Sequence, residues 1–229
     1  MKTDLISILW LALSLAAPTG YAETITAVPF TIKKSGTYTF DQNLTSAGDG
    51  GAIVVEASNV VIDLTGFVLA SSTGSGTGVF NNAESANIII QNGTISGFEF
   101  GVLLEHSRRW AIRNLFLTNN VGGVNLARCV NGSVQNCFVL GSGATDSFGI
   151  AMNGCTGVEV KHNQVLDWDI GISSESGRPN GGGSAFLENY LGICTTGLQL
   201  GTADKYQGNV TNGCTTPFSG GTVVGHENN

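Results

Sequence analysis

The chain has 229 residues, of which 33 are glycine and only 12% are charged, and its formal net charge is −7. Sparse, acidic charge argues against nucleic acid and membrane surfaces as partners, because both require clustered lysine and arginine. The glycines have no three-residue period, which excludes collagen, and the plentiful apolar residues argue against disorder. This composition is typical of short strands joined by tight turns.

The first 22 residues predict a secretory signal peptide. Lys2 supplies a positive start, Leu5 to Ala17 form a short apolar core, and Gly20 and Ala22 place small residues where a signal peptidase recognises them. The apolar run is too short to span a bilayer. We therefore expect cleavage after Ala22, no membrane association of the mature chain, and a secreted or periplasmic location.

One domain is predicted to follow residues 1–22. Residues 23–51 are predicted to form an N-terminal cap region that lies across the first coil of a repeat, and residues 52–216 to form the repeat itself. The polar, glycine-rich residues 217–229 are predicted to be a tail that loosely covers the last coil. Caps are expected because the open end of a repeat stack would otherwise pair with other chains.

One pattern recurs along the predicted repeat: an apolar strand, an Asn, a second strand, a turn, and then Gly-apolar-any-apolar. The glycines of this motif are 22 to 26 residues apart, at Gly78, Gly101, Gly123, Gly149, Gly171 and Gly197. No helical pattern alternates with the strands, and a propeller blade needs about 40 residues. The pattern predicts an all-β, single-domain, right-handed parallel β-helix of about seven coils, each with three strands.

Asn92, Asn114, Asn136 and Asn189 are predicted to share one coil position, a tight turn that requires left-handed backbone geometry. Stacked Asn side chains can also hydrogen-bond along the axis of the repeat. His162 stands at the same position in another coil, so we expect it to continue the turn rather than to act as a catalytic base.

With these motifs the chain resembles the pectate-lyase-like superfamily of β-helices over roughly residues 52–212. In that superfamily an Asn ladder lies at the turn between the second and third strands. The resemblance implies that sugar would bind on the strand after each repeat glycine, and that an enzyme of this kind would be a polysaccharide lyase or glycoside hydrolase. The hydrolase signatures of the superfamily (paired Asp, Gly-His-Gly, Arg-x-Lys) and its lyase signatures are absent from the sequence.

Five cysteines in a chain with a predicted export signal allow disulfides. Cys129 and Cys155 each lie six residues after a repeat glycine, and Cys194 and Cys214 each lie five residues after an Asn. Equivalent positions on adjacent coils are about 4.8 Å apart, within reach of a disulfide. The register predicts Cys129–Cys155 and Cys194–Cys214 bonds with Cys137 free, and the alternative is a buried stack of free thiols.

The strand after each repeat glycine is predicted to present an outer face with few charged side chains. Alternation along the strand points these side chains outward: Leu103, Glu105, Asn125, Ala127, Ala151, Asn153, Ser173, Glu175, Gln199 and Gly201. A glycosidase needs paired carboxylates, and a calcium-dependent lyase needs an acidic cluster with a basic residue. The sequence predicts no metal site, and Ca²⁺ is expected only if the protein is a lyase.

The turns that flank this strand hold the ligand-binding candidates. The stretch before it is acidic and aromatic, with Glu99, Asp146, Phe98, Phe100 and Phe148 beside the candidates Asp167, Trp168 and Asp169. The turns after it hold His106, Arg108, Arg109, Arg128 and Arg178. Aromatic rings stack on sugars and arginines pair with uronate carboxylates, so the two edges predict a sugar-binding groove. The alternative is ordinary solvated turns that keep a sparsely charged protein soluble.

The leading functional prediction is an exported, non-catalytic β-helix that binds polysaccharide or serves as a surface interaction module. The alternatives are a polysaccharide lyase or glycosidase acting on acidic polysaccharide, and a structural cell-envelope protein. The sequence leaves open whether the protein is an enzyme, which ligand it binds and what oligomeric state it adopts.

Overall fold

The computed structural model describes residues 21–175 and 182–225, and every regular element in these two segments is a β-strand. Most of the predicted signal peptide and the candidate Arg178 lie outside the described residues. Within the described part, no helix is long and apolar enough to cross a membrane.

Strands from successive coils stack in parallel into three sheets. Sheet I contains β1 (Tyr21–Ile25), β3 (Gly36–Phe40), β6 (Val60–Asp63), the first halves of β9 (Ile88–Ser96) and β11 (Ala111–Thr118), β13 (Ser133–Gln135), β16 (Glu159–Lys161), β19 (Ala185–Leu187), and the second halves of β21 (Thr196–Gln207) and β23 (Thr216–Val223). Sheet II contains β4 (Leu44–Ser46), β7 (Val68–Ser71), the second halves of β9 and β11, β14 (Phe138–Leu140), β17 (Gln164–Leu166), β20 (Tyr190–Gly192) and β22 (Val210–Asn212).

Sheet III contains the strands that follow the repeat glycines and carries the candidate site. Its members are β2 (Phe30–Ile32), β5 (Gly51–Val55), β8 (Thr77–Asn81), β10 (Phe100–Glu105), β12 (Gly122–Ala127), β15 (Phe148–Asn153), β18 (Ile170–Glu175), and the first halves of β21 and β23. The right-handed parallel β-helix predicted from the repeat is confirmed, with about eight coils.

The stack is longer than the sequence pattern predicts at both ends. The predicted cap region 23–51 does not lie across the first coil, because β1 pairs in parallel with β3 and β2 with β5. Residues 217–223 also pair in parallel with the preceding coil rather than covering it loosely as a tail. These end coils carry fewer apolar residues in register, so their repeat is hard to recognise in sequence.

Inward-pointing side chains form continuous columns through the interior. In sheet I, one column runs through Ile62, Ile90, Ile112, Val134, Val160 and Phe186, and each of these residues is fully buried. Burying such a side chain stabilises the fold by about 1.5–3 kcal/mol. Because a coil can bury its apolar side chains only against its neighbours, the stability comes from stacking.

The repeat glycines are required by the close approach of neighbouring coils rather than by an unusual backbone angle. A Cβ atom at Gly101 would lie 2.7 Å from the carbonyl oxygen of Gly123, and one at Gly149 would lie 2.5 Å from that of Gly171. Since any side chain would clash with the next coil, glycine recurs at this position.

The single Asn position predicted from sequence corresponds to two adjacent columns of side chains in the structure. Asn92, Asn114 and Asn136 lie in the outer column with φ of 60°, 53° and 53°, and His162 continues it with φ of 55°. The placement of Asn189 in this column is wrong, because Lys161 pairs with Leu187 and the residue after Leu187 is Glu188.

Asn189 instead belongs to an inner ladder with Asn163 and Asn209, and all three residues are buried. The side-chain oxygen Oδ1 of Asn189 accepts hydrogen bonds from the backbone N–H and the side-chain amide of Asn163, each 3.0 Å long. Its amide nitrogen donates to Asn209 Oδ1 (2.9 Å) and to the Val160 carbonyl (2.9 Å). The ladder therefore satisfies buried backbone groups that would otherwise lack partners.

The predicted disulfides are not formed in the structure, where all five cysteines are free thiols. The register behind the prediction does bring the residues together, because the Cys129 backbone N–H lies 3.4 Å from Cys155 Sγ. Cys129 Sγ lies 3.3 Å from the Leu104 carbonyl and Cys155 Sγ lies 3.5 Å from that of Leu126, each in the preceding coil. Both of these thiols thus act as buried donors to the preceding coil.

We expect Asn189→Ala to destabilise the protein by about 2–5 kcal/mol, because it leaves several buried partners unsatisfied, at about 1–3 kcal/mol each. Urea unfolding followed by circular dichroism measures this change. The exposed Asn212→Ala is the matched control and should change stability by less than about 1 kcal/mol. Equal stability of the two variants would contradict the role of the ladder.

We expect a thiol reagent at pH 8 to label the half-buried Cys214 first in the folded protein. Burial raises the pKa of the Cys137 thiol to about 12 and that of Cys194 to about 11, so both stay protonated and unreactive. Peptide mapping by mass spectrometry measures the order. Labelling of Cys137 before Cys214, or fewer than five thiols after denaturation, would contradict this account.

Candidate functional site

The outer face of sheet III presents three columns of side chains. The middle column runs through Leu103, Asn125, Ala151, Ser173 and Gln199, and the column nearest the turn to sheet I runs through Glu105, Ala127, Asn153 and Glu175. The third column begins the strands and contains Phe100, Gly122, Phe148 and Ile170. These pairings place the outward residues of the strands as alternation predicts.

A slot opens in the third column where glycine separates two aromatic rings. Phe100 and Phe148 stand on the coils before and after Gly122, about 10 Å apart along the stack. A Cβ atom at Gly122 would lie 2.8 Å from Cδ1 of Phe100, so the Phe100 ring packs over Gly122 and a side chain there would displace this wall of the slot. The slot is a cavity of about 200 Å³, which Val121, Asn125, Asp146 and Ala151 also line.

A second cavity of about 170 Å³ continues from the slot along sheet III. The two cavities share Asn125, Phe148 and Ala151, and the second adds Asn153, Ser173 and Glu175. We call the slot and this extension the trough. It combines an apolar end at the phenyl rings with hydrogen-bonding groups along its length.

Asp167 and Asp169 hold the loop that forms one wall of the slot. Oδ2 of Asp169 accepts the backbone N–H of Asp146 (3.0 Å), and the Asp169 N–H donates to the Ser147 hydroxyl (3.1 Å). The Asp167 carbonyl accepts the N–H of Gly143 (2.8 Å). Both residues lie beside the trough without lining it, and Asp169 positions Asp146, which does line it.

Trp168 is a core residue, so its proposed contact with a ligand is wrong. Its side chain is only 1% exposed, and its indole N–H donates to the Val139 carbonyl (3.1 Å). Phe98, on the same predicted acidic and aromatic edge, is also fully buried. Of the four aromatic residues on that edge, the structure therefore leaves Phe100 and Phe148 available to the surface.

The four basic candidates within the described residues follow the sheet III strands, at the end opposite the slot, and do not line the trough. His106 Nε2 and Arg128 Nη1 approach within 3.2 Å on neighbouring coils, both in left-handed turns. Arg109 Nε donates to Asn87 Oδ1 (2.9 Å), and Arg108 is exposed beside it. The structure thus brings His106 and Arg128 together and turns Arg109 toward the sheet I side.

The glutamates of this face are widely spaced from each other and from Asp146, although Asp169 lies against the Asp146 backbone. Glu105 and Glu175 are three coils apart in one column, a distance of about 14 Å. Asp146 lies two residues before Phe148. The column that contains Glu175 lies five residues after Phe148, and is therefore about 16 Å further along the strand direction. Both separations exceed the roughly 5–9.5 Å between the paired carboxyl groups of glycosidases.

The described part of the chain holds no group of three or more His, Cys, Asp or Glu side chains that could bind a metal ion. Asp167 and Asp169 therefore do not gain a third acidic or histidine ligand among these residues. The Ca²⁺ expected for a lyase finds no preformed acidic cluster there.

Gly122 lines the slot but is not among the candidate residues that the sequence predicts. It precedes the repeat glycine Gly123, and the position holds Phe in the coils on either side. Aligning the coils by this column, rather than by the repeat glycine alone, would have shown the gap between two aromatic residues.

Comparison with protein-family models and with curated protein sequences gives no match. Among solved structures, the chain is similar to the A-module of a mannuronan C-5 epimerase from Azotobacter vinelandii, with 13% identity, a TM-score of 0.41, and coverage of 92% of this chain and 79% of that one. It is also similar to the enzymatically active domain of tailspike protein 2 of bacteriophage CBA120, with 13% identity and a TM-score of 0.42. That match covers 91% of this chain but only 42% of the tailspike chain. At this sequence identity and TM-score, we assign no functional residue of either protein to this chain.

We expect Asp169→Ala to loosen the loop of residues 142–147, because it removes a hydrogen bond to a carboxylate worth about 1.5–3 kcal/mol. Hydrogen exchange followed by mass spectrometry should show at least tenfold faster exchange of this loop, with β12 unchanged. The exposed Asp41→Ala serves as the control. Unchanged exchange in Asp169→Ala would contradict the role of Asp169 in positioning Asp146.

Proposed function

We propose that this protein is an exported β-helix that binds carbohydrate in the trough on sheet III without cleaving it. The slot between Phe100 and Phe148, continued by the amides of Asn125 and Asn153, carries the proposal. An apolar surface with a few convergent polar groups is typical of small-ligand sites. Phenyl rings can pack on the apolar C–H face of a sugar, and amide groups can bond its hydroxyls.

The spacing of charge supports binding rather than bond cleavage. Glu105 and Glu175 are about 14 Å apart on this face, too far to act on one glycosidic bond. The basic pair His106 and Arg128 does not line either cavity of the trough. We therefore propose that the trough binds and orients a sugar and takes no part in proton transfer to it.

Export is supported by the signal-like pattern of residues 1–22. Cleavage after Ala22 would remove Tyr21 and Ala22 from β1, and both residues are exposed. The remaining residues of β1 would keep their pairing with Tyr38 to Phe40. The repeat is thus compatible with cleavage at this point.

We expect the chain from Glu23 onward to bind one or more oligosaccharides on a glycan array, and Asn125→Ala and Phe148→Ala to weaken that binding at least tenfold. The reason is that each variant removes a side chain lining the trough. Isothermal titration calorimetry with the array hits measures the loss. Phe116→Ala is the matched control, because Phe116 is 39% exposed but lies on sheet II.

Three outcomes would overturn the proposal. Equal weakening in Phe116→Ala would place binding elsewhere. Release of reducing ends or unsaturated uronates from the bound glycans would indicate a glycosidase or lyase. Binding to no glycan on the array would favour the structural cell-envelope role.

A further inference from the structure

We infer that the slot over Gly122 receives a single neutral sugar unit and discriminates against uronate. This inference rests on the proposed carbohydrate-binding function and names the ligand class that the same site selects. It follows from the shape of the slot, the chemistry of its walls and the sign of the charge beside it.

The shape of the slot suits one sugar ring held between two aromatic walls. The cavity of about 200 Å³ is smaller than the 300–1,000 Å³ typical of sites for drug-sized ligands. Phe100 and Phe148 flank it, and Gly122 forms its floor without a side chain. The walls thus enclose one unit, and the rest of a glycan would extend along the trough toward Asn153.

The slot is lined mainly by apolar residues and by two polar ones, Asn125 and Asp146. Val121 is 55% exposed and adds apolar surface beside the two phenyl rings. Asn125 provides a side-chain amide that has no hydrogen-bond partner within residues 21–175 and 182–225. Asp146 provides a carboxylate, which can only accept hydrogen bonds when ionised.

This polar pair suits hydroxyl groups better than a carboxylate. A sugar hydroxyl can donate to Asp146 and accept from the Asn125 amide. A uronate carboxylate would instead face the like charge of Asp146 at short range, which is unfavourable in a partly enclosed site. The lining contains no lysine, arginine or histidine that could offset this repulsion.

The basic side chains that follow the sheet III strands within the described residues do not line the slot. Arg128 lies against His106, and Arg109 donates to Asn87, at the end of the strands remote from the slot. The arginine-uronate pairing predicted from sequence would therefore have to occur outside the trough. The slot is therefore proposed to take a neutral sugar, whereas the arginines predict an acidic one from sequence.

Pairs of oligosaccharides that differ only in oxidation at C6 test the inference directly. Mannan and mannuronan oligomers of equal length, and galactan and galacturonan oligomers, are titrated into the chain from Glu23 onward by calorimetry. We expect the neutral member of at least one pair to bind at least tenfold more tightly than its uronate partner. Asp146→Asn should raise uronate affinity and narrow this ratio, and Asn tolerates the left-handed φ of 56° at this position.

Filling the slot tests its location. Gly122→Ala should weaken binding of the neutral oligomer at least tenfold, because the new Cβ lies 2.8 Å from the Phe100 ring. Gly48→Ala is the matched control, since its Cβ meets nothing within 4 Å. If Gly122→Ala fails to fold, the exposed Val121→Asp replaces it, with the same expected loss for the neutral oligomer.

The possible outcomes separate the inference from the function it rests on. Tighter binding of the uronate member, or wild-type affinity in a folded Gly122→Ala variant, overturns the inference and leaves carbohydrate binding intact. Binding of neither member of any pair, with no hit on the glycan array, overturns both. Binding of an apolar peptide instead would assign the slot to a protein partner and likewise overturn both.

Discussion

Hydrogen bonds between in-register parallel strands of adjacent coils are the constraint on which the rest of the molecule depends. They hold successive coils about 4.8 Å apart and stack each residue on its equivalents in the neighbouring coils. Every coil position therefore becomes a column with one environment. The glycine column exists because two coils approach too closely for a Cβ atom, and the Asn163–Asn189–Asn209 ladder exists because buried backbone groups need partners.

The same stacking explains how a local change creates a site. On a regular outer face, a column of similar residues gives a flat surface, and a gap in the column gives a slot. Gly122 between Phe100 and Phe148 is such a gap. Asp169 adds to it by fixing the backbone of Asp146 on the wall of the slot. The site thus needs no departure from the repeat apart from one missing side chain and one longer loop.

Much of the fold could be predicted from sequence because its signals are periodic. The spacing of the repeat glycines and the alternation of apolar residues determine the coil and its outer face. The ends were missed because residues 21–46 and 217–223 keep the pairing but lose the pattern. The sequence pattern assigns Asn189 to the outer column, one residue out of register, because the two Asn columns are adjacent in the chain. Only the pairing of Lys161 with Leu187 shows that Asn189 belongs to the inner column.

The site was less predictable because side-chain direction at turns is not periodic. Trp168 and Phe148 both lie in the predicted acidic, aromatic edge, yet one fills the core and the other lines the slot. The sequence places the basic turns after the sheet III strands, but only the structure shows that the slot lies where these strands begin. A missing side chain such as Gly122 carries no chemical signal of its own.

The most direct measurement of the central claim is a crystal structure of the chain from Glu23 onward, soaked with a neutral oligosaccharide that it binds in solution. The account predicts a sugar ring between Phe100 and Phe148, with a hydroxyl within hydrogen-bonding distance of the Asn125 amide. A sugar bound instead at the His106 and Arg128 end of the strands, or on sheet II, with the slot empty, would contradict it.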